Sequence, residues 1–226
     1  MPATRPVALV TGASRGIGAA IARALAHDHD LLLGGRDADA LGAVAADLPG
    51  ARPWPVELTD DRAVAAAAGG IDRLDVLVHS AGVGLLGTVA DTPAEVWRRQ
   101  FEVNVVAVAE LTRLLLPVLR AARGHVVLVN SGSGHAARAG WASYAASKFA
   151  LRAFGDALRA EEPDLRVTSV HPGRVDTAMQ RRVVEHEGGR YRSAAYLRPE
   201  SVAAAVRAAV TATADAAVTE IVLRPR

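Results

Sequence analysis

At 226 residues and 23.5 kDa, half hydrophobic and with a formal net charge of +2, the chain suits one domain, 1–226, with a sizeable core. The lack of cysteine excludes disulfides, thiolate catalysis and cysteine-held metals, and no metal site is expected. The charge balance makes no basic stripe for nucleic acid despite a pI near 9.5. With no long apolar stretch and no signal-peptide pattern, a soluble cytoplasmic protein without membrane contact is expected.

Val7-Ala8-Leu9-Val10 reads as a strand buried on both faces, followed by Thr11-Gly12-Ala13-Ser14-Arg15-Gly16-Ile17-Gly18 and a helical run through Ala26. Strand, glycine loop, helix is the order a nucleotide site needs. Gly12 permits a tight turn, Gly16 lets the backbone approach a pyrophosphate, and Gly18 lets the helix pack close to the strand. The helix N-terminus offers free N–H groups and about half a positive charge to the anion. The second strand begins at Asp30 and ends Gly34-Gly35-Arg36. An acidic residue there would hold the ribose hydroxyls of NAD. Arg36, flanked by Arg15 from the first loop, instead suits a 2′-phosphate, so NADP is expected, and Asp37 keeps NAD as second choice.

After a helix centred on 41–48, a third strand over 52–58 ends Val56-Glu57-Leu58, where an adenine would lie, and Pro53 and Pro55 suit a place near the sheet edge. A helix over 60–68 is begun by Thr59 or Asp60 as cap. The fourth strand, 74–78, delivers His79-Ser80-Ala81-Gly82, small enough at Ala81 and Gly82 for the sheet edge to touch a flat cofactor. His79 reads as a hydrogen-bonded structural histidine. Pro93, with Thr92 as cap, opens a long helix to about residue 119 with Asn104 buried midway, and an amide there needs partners inside the core. The fifth strand, 125–129, delivers Asn130-Ser131; the sixth, 167–170, delivers His171-Pro172-Gly173-Arg174-Val175-Asp176-Thr177. A helix over 199–211 precedes a seventh strand, 219–223. The polar and glycine motifs all follow apolar runs, at the strand edge where open α/β sheets bind ligands. Strands alternating with helices require parallel order and right-handed crossovers.

Tyr144 and Lys148 stand four apart in an alanine-rich helical segment, so their side chains share one face. Of the 26 basic residues only Lys148 is a lysine, and Asn occurs only at Asn104 and Asn130. A chain that uses Arg everywhere else keeps a compact, rotatable ammonium at this one place. An unperturbed Tyr titrates near pH ~10, and work near neutrality needs a pKa about 3 lower, or about 4 kcal/mol. A cation about 4 Å away at an effective dielectric of about 20 supplies roughly that much.

Together Thr11-Gly12-xxx-Gly16-x-Gly18, Ser80-Ala81-Gly82, Asn104, Ser131, Tyr144-xxx-Lys148 and Pro172-Gly173-xxx-Thr177 make the chain resemble the short-chain dehydrogenase/reductase family, in its single-domain branch, nearly end to end. The resemblance implies a doubly wound, Rossmann-type, seven-stranded parallel sheet with helices on both faces. It implies a catalytic group of Asn104, Ser131, Tyr144 and Lys148, and a homodimer or homotetramer packed through the helices that hold Asn104 and Tyr144. The implied cofactor contacts are Gly12, Ser14, Arg15, Gly16, Ile17, Gly18, Arg36, Glu57, Leu58, Ala81, Gly82, Tyr144, Lys148, Pro172, Gly173, Val175 and Thr177. Two departures stand out. His79-Ser80 replaces the usual Asn-Asn before Ala81-Gly82, removing amides that brace the central strand, and Glu57-Leu58 stands where an Asp often meets the adenine.

The expected activity is reversible hydride transfer between NADP(H) and a small-molecule ketone or aldehyde. Ser131 and Tyr144 hold the oxygen, Tyr144 moves the proton, Lys148 lowers the phenol's pKa and holds the ribose, and Asn104 anchors a water. Thr177 and the Val175 backbone hold the carboxamide. Ser133 is the close competitor of Ser131. A lid over about 177–198, with Gly188-Gly189 as hinge, carries Arg181, Arg182, Arg190 and Arg192, which suit either an acidic substrate or a solvated lid. The alternatives are an NAD-dependent alcohol dehydrogenase of the same family and a non-catalytic dinucleotide-binding redox sensor.

Overall fold

Alternation along the central strand decides which helices cover it. In the computed structural model, which describes residues 5–226, β1 (Val7–Thr11) points Ala8 and Val10 to one face and Leu9 to the other. Ala8 and Val10 join Ile21 and Leu25 of α1 (Gly16–Leu25) and Val202 and Val206 of α8 (Pro199–Val210). Leu9 joins Leu111, Leu115 and Leu119 of α5 (Ala107–Ala122) and Leu151 and Leu158 of α6 (Ala142–Glu161). The sheet is therefore covered on both sides, as expected of its near-continuous apolar strands.

The other strands are β2 (Asp30–Gly35), β3 (Ala51–Pro55), β4 (Val76–His79), β5 (His125–Val129), β6 (Arg166–Pro172) and β7 (Glu220–Leu223). All pair in parallel, in the order β3-β2-β1-β4-β5-β6-β7. The order reverses at β1, where β2 lies on one side and β4 on the other, and this switch point opens a crevice beyond the strand ends. The remaining helices are α2 (Ala38–Ala46), α3 (Asp61–Ala68), α4 (Ala94–Phe101) and α7 (Ala178–His186). Among the described residues no helix is long and apolar enough to cross a membrane.

Several boundaries differ from the sequence reading. Strand β3 stops at Pro55, so Val56, Glu57 and Leu58 lie beyond it; the Glu57 carboxylate accepts from Thr59 N (3.2 Å) and Thr59 Oγ1 (3.0 Å), which turns the chain toward α3. Asp60, not Thr59, caps α3. Strand β6 runs on to Pro172 because His171 and Pro172 still pair with Val222 and Leu223. Thr92 caps nothing: its hydroxyl donates to Thr88 O (2.6 Å), and Pro93 takes the N-cap position. The long helix is broken by a π turn over Glu102–Val106, and Asn104 sits inside it.

Candidate functional site

The glycine turn closes the end of β1 against the end of β4. Gly12 has φ +67°, and a Cβ there would lie 2.9 Å from Ala81 Cα and Ala81 N. A Cβ on Gly18 would fall 2.2 Å from Gly12 O, so its smallness seats α1 on the loop itself. Thr11 Oγ1 accepts from Ser80 N (3.0 Å) and Ala81 N (3.1 Å) and donates to Val78 O (3.3 Å), stitching the two strand ends together. Bracing falls to His79 as well: its Nε2 pairs with Thr112 Oγ1 of α5 at 2.9 Å, and burial pushes its pKa down to about 3. Thr11 and His79 thus supply the ties that the missing amides leave out.

A cleft of about 600 Å³ opens over this turn. It is lined by Gly12, Ser14, Arg15, Gly16, Ile17, Gly18, Arg36, Glu57, Leu58, Ala81, Gly82 and Thr177, all singled out by sequence. Arg15, Arg23, Arg36, Arg99, Arg181 and Arg182 face Glu57, Asp176 and Glu200 across it, an excess of guanidinium that fits a ligand bearing several phosphates. Arg36 Nη1 lies 3.4 Å from Glu57 Oε2 and remains two-thirds exposed. Asp37 does not line the cleft; it caps α2, accepting from Ala40 N at 3.0 Å.

A second cleft, about 410 Å³, is lined by Ser131, Tyr144, Pro172, Gly173 and Val175, and shares Ile17, Thr177 and Met179 with the first. Ser131 opens the 3-10 turn Gly132–Gly134, its Oγ accepting from Ser133 N at 3.1 Å. That bond leaves the Ser131 O–H free to donate, and it contacts the Tyr144 phenol. Ser133 lines the same cleft. Tyr144 is 9% exposed and Lys148 5%. Burial raises the phenol's pKa above its ordinary value, partly offset by the Ser131 contact, and lowers Lys148 to about 8. The Lys148 ammonium donates to Val129 O (3.2 Å) and lies 5.9 Å from the Tyr144 ring centroid. The direction of the phenol's shift is opposite to the expected fall toward neutrality, and Lys148 is not among its causes. Desolvation governs both groups, and the ammonium turns to a strand carbonyl.

Behind this wall lies a set of buried amides. Asn104 Nδ2 donates to Val83 O (2.9 Å) and Ser147 Oγ (3.0 Å), and its Oδ1 accepts from Val83 N (2.9 Å). Four residues earlier, Gln100 repeats the pattern: Nε2 donates to Leu85 O (3.0 Å) and Ser143 Oγ (2.5 Å), and Oε1 accepts from Leu85 N (3.1 Å). The two side chains thus treat 83–85 as a neighbouring strand and fasten it to hydroxyls of α6. Both hydrogens of the Asn104 amide are committed, so the side chain acts as a brace. Asn130 clamps the other end, donating to Lys148 O (3.1 Å) and accepting from Ser131 N (2.8 Å). Gln100, Asn130, Ser143 and Ser147 were not picked out by sequence as site residues. For Asn130 a signal existed: it is one of two asparagines and precedes Ser131. Asn104 and Lys148 line neither cleft and act from behind.

The segment 177–198 is tied down by charge. Thr177 Oγ1 caps α7, accepting from Gln180 N at 3.2 Å. Arg174 Nη2 meets Glu187 Oε1 at 2.6 Å, Arg181 stacks on the Tyr191 ring at 4.3 Å, and the Tyr191 hydroxyl donates to Asp176. Gly188 has φ +66°. Arg181 and Arg182 line the first cleft, while Arg190 and Arg192 line neither. The second cleft carries Arg138, Arg174 and Arg224 instead, with no acidic residue in its lining.

A model of the family described as short chain dehydrogenase matches residues 6–188. Dehydrogenase/reductase SDR family member 7B of Bos taurus is 36% identical over 203 residues, 82% of this chain and 62% of that protein. The chain therefore spans under two thirds of that relative's length. Among solved structures, an alcohol dehydrogenase from Thermococcus sibiricus complexed with 5-hydroxy-NADP superposes with a TM-score of 0.90 at 29% identity, over 97% of this chain and 96% of that one. A metagenomic short-chain oxidoreductase in complex with NADP gives 0.83 at 31% identity, over 98% and 97%.

Proposed function

The chain belongs to the short-chain dehydrogenase/reductase family, and on that premise we propose that it is an NADP(H)-dependent oxidoreductase interconverting a ketone or aldehyde with an alcohol. One observation carries the reading: the cleft holding Ser131 and Tyr144 meets the glycine-turn cleft along Ile17, Thr177 and Met179, so a dinucleotide in one presents its end to a substrate in the other. When bound, the nicotinamide dinucleotide supplies or takes the hydride.

The chain's own residues hold the substrate oxygen and move a proton. Ser131 donates its free O–H to that oxygen, and Tyr144 passes its phenolic proton as the oxygen gains charge. A phenol ordinarily titrates near pH ~10, so Tyr144 carries its proton at neutral pH and is available as the acid. The short step from the Lys148 ammonium to the second cleft's Tyr144 face makes Lys148 the counter-charge once the phenolate forms, as well as a ligand for ribose hydroxyls. Asn104, Gln100 and Asn130 fix the positions of loop 83–85 and of Ser131. Gly12, Ser14, Arg15, Gly16, Ile17 and Gly18 hold the pyrophosphate; Glu57, Leu58, Ala81 and Gly82 flank the adenosine; Pro172, Gly173, Val175 and Thr177 hold the carboxamide.

NADP is preferred over NAD because Arg15 and Arg36 face the cleft while Asp37 is spent as a helix cap. The acid-free second cleft with Arg138, Arg174 and Arg224 favours carbonyl compounds that carry a negative group. Exposed Val106 and Phe149, on the π turn and on α6, support a homodimer or homotetramer packed through these helices. The test is oxidation of NADPH and, in parallel, NADH with a panel of neutral and carboxylate-bearing aldehydes and ketones. Turnover with NADPH and faster rates for the anionic members are expected. Inactivity across the panel with cofactor bound would support the redox-sensor alternative.

A further inference from the structure

Beside Ser131 three residues from remote parts of the chain converge, one of which, His135, also lines the second cleft. His135 follows the 3-10 turn after β5, His171 lies on β6, and Glu220 opens β7. Their ligand atoms lie within 4.8 Å of one another. His135 Nε2 is 3.1 Å and His171 Nε2 3.2 Å from the same carboxylate oxygen, Glu220 Oε1. Both nitrogens are buried and neither is aligned as a hydrogen-bond partner. His171 is wholly buried.

The tautomer of His171 is settled by its other nitrogen. Nδ1 lies 3.1 Å from Ser131 O, and a carbonyl oxygen only accepts, so the proton is on Nδ1. Nε2 of the neutral ring then carries a lone pair and no proton, 3.2 Å from the carboxylate oxygen. Imidazole and carboxylate lone pairs this close repel each other unless a proton or a cation lies between them, and neither nitrogen is placed for a proton to bridge to Glu220. Ligand atoms around one tetrahedral ion with bonds of about 2.0–2.1 Å stand about 3.3 Å apart, close to both short distances here. A carbonyl holding the second nitrogen of a metal-binding histidine is also the usual support for such a ligand.

We propose that His135, His171 and Glu220 form a binding site for a divalent transition-metal ion of the zinc class. Two imidazoles and one carboxylate suit Zn²⁺ or Co²⁺, whereas Mg²⁺ and Ca²⁺ prefer oxygen ligands throughout. The ion joins the turn after β5 to β6 and β7, and through the His171 Nδ1–Ser131 O bond it stiffens the main chain that carries Ser131. The Arg152 guanidinium, which also acts on His171, and Arg224, bonded to His171 O at 3.4 Å, oppose the charge and limit the affinity.

The test uses the full chain, stripped with a chelator and titrated with Co²⁺ alone and then Zn²⁺ alone. One equivalent of Co²⁺ should bring up visible ligand-field bands that Zn²⁺ removes, and Zn²⁺ should raise Tm, whereas Mg²⁺ should do neither. His135→Ala should abolish the bands and the Tm rise. Glu220→Gln, isosteric and on an exposed edge, should weaken Co²⁺ binding at least tenfold and keeps the test open if the first variant does not fold. Absence of bands in excess Co²⁺, or equal uptake by both variants and the parent chain, overturns the site.

Discussion

The two walls of the paired clefts are built on opposite principles. The inner wall runs from 81–85, half-buried with Leu85 exposed, to the buried amides of Gln100, Asn104 and Asn130 and α6, and is held by neutral hydrogen bonds between matched donors and acceptors. The outer wall, 177–198, is held by partly exposed ion pairs such as Arg174–Glu187 and Arg181–Asp176. Pairs of the second kind are worth about 0–1 kcal/mol each and weaken with salt, whereas breaking a buried match leaves a polar group stranded at about 1–3 kcal/mol. On the proposed function, chemistry would sit on the wall held by buried amides and substrate would enter past the wall held by ion pairs.

That contrast can be broken at four points. Tyr144→Phe keeps the ring packing and removes the proton, so kcat should fall roughly a thousandfold or more while cofactor affinity and stability stay near those of the parent; a surviving kcat would move the acid elsewhere. Lys148→Met tests what the rigid wall tolerates. The ammonium's pKa falls from 10.5 to about 8 on burial, so the folded chain binds its proton less well than the unfolded chain does. The penalty is complete below pH 8 and fades as pH rises toward 10.5, at about 1.4 kcal/mol for each tenfold loss of proton affinity. The Met variant should therefore be about 2–3 kcal/mol more stable at pH 7 in urea unfolding, lose that advantage near pH 10, and be inactive. Ser147→Ala strands one Asn104 hydrogen and should cost about 1–2 kcal/mol, with kcat lowered more than KM is raised. Glu187→Gln, on the outer wall, should change stability by less than about 1 kcal/mol and appear in KM alone. A larger loss of stability there than at Ser147 would reverse the comparison.

What was legible in the sequence was local. Strand, glycine turn and helix are adjacent in the chain, so the tight turn at Gly12 could be read before the fold was known, whereas its close approach to Ala81 could not. The parallel arrangement followed because strands alternate with helices and each motif ended an apolar run, whereas the strand order emerged only from the structure. The amide pair was half legible: an asparagine in mid-helix asked for partners, yet Gln100, a common helix residue, carries no such signal. The π turn around Asn104 is one widened turn in otherwise helical sequence, and nothing in the residues 102–106 marks it. The direction of Lys148 was missed because spacing fixes a helix face but not which acceptor a long side chain reaches. His135, His171 and Glu220 come together only through strand order, across 85 positions of chain, which no spacing rule spans.

The two prolines of β3 have a consequence for how copies of the protein meet. Val56 N bonds inward to Gly35 O at 2.8 Å, and alternate residues face alike, so Pro53 and Pro55 occupy the outward positions where a passing strand would look for N–H donors. The opposite border, β7, has no proline, and Val222 there is half exposed. Any strand-to-strand joining must therefore begin at β7, and a β7-to-β7 contact leaves only proline-blocked borders outside it. Growth by that route ends at two copies, so the sheet carries its own stop against fibres.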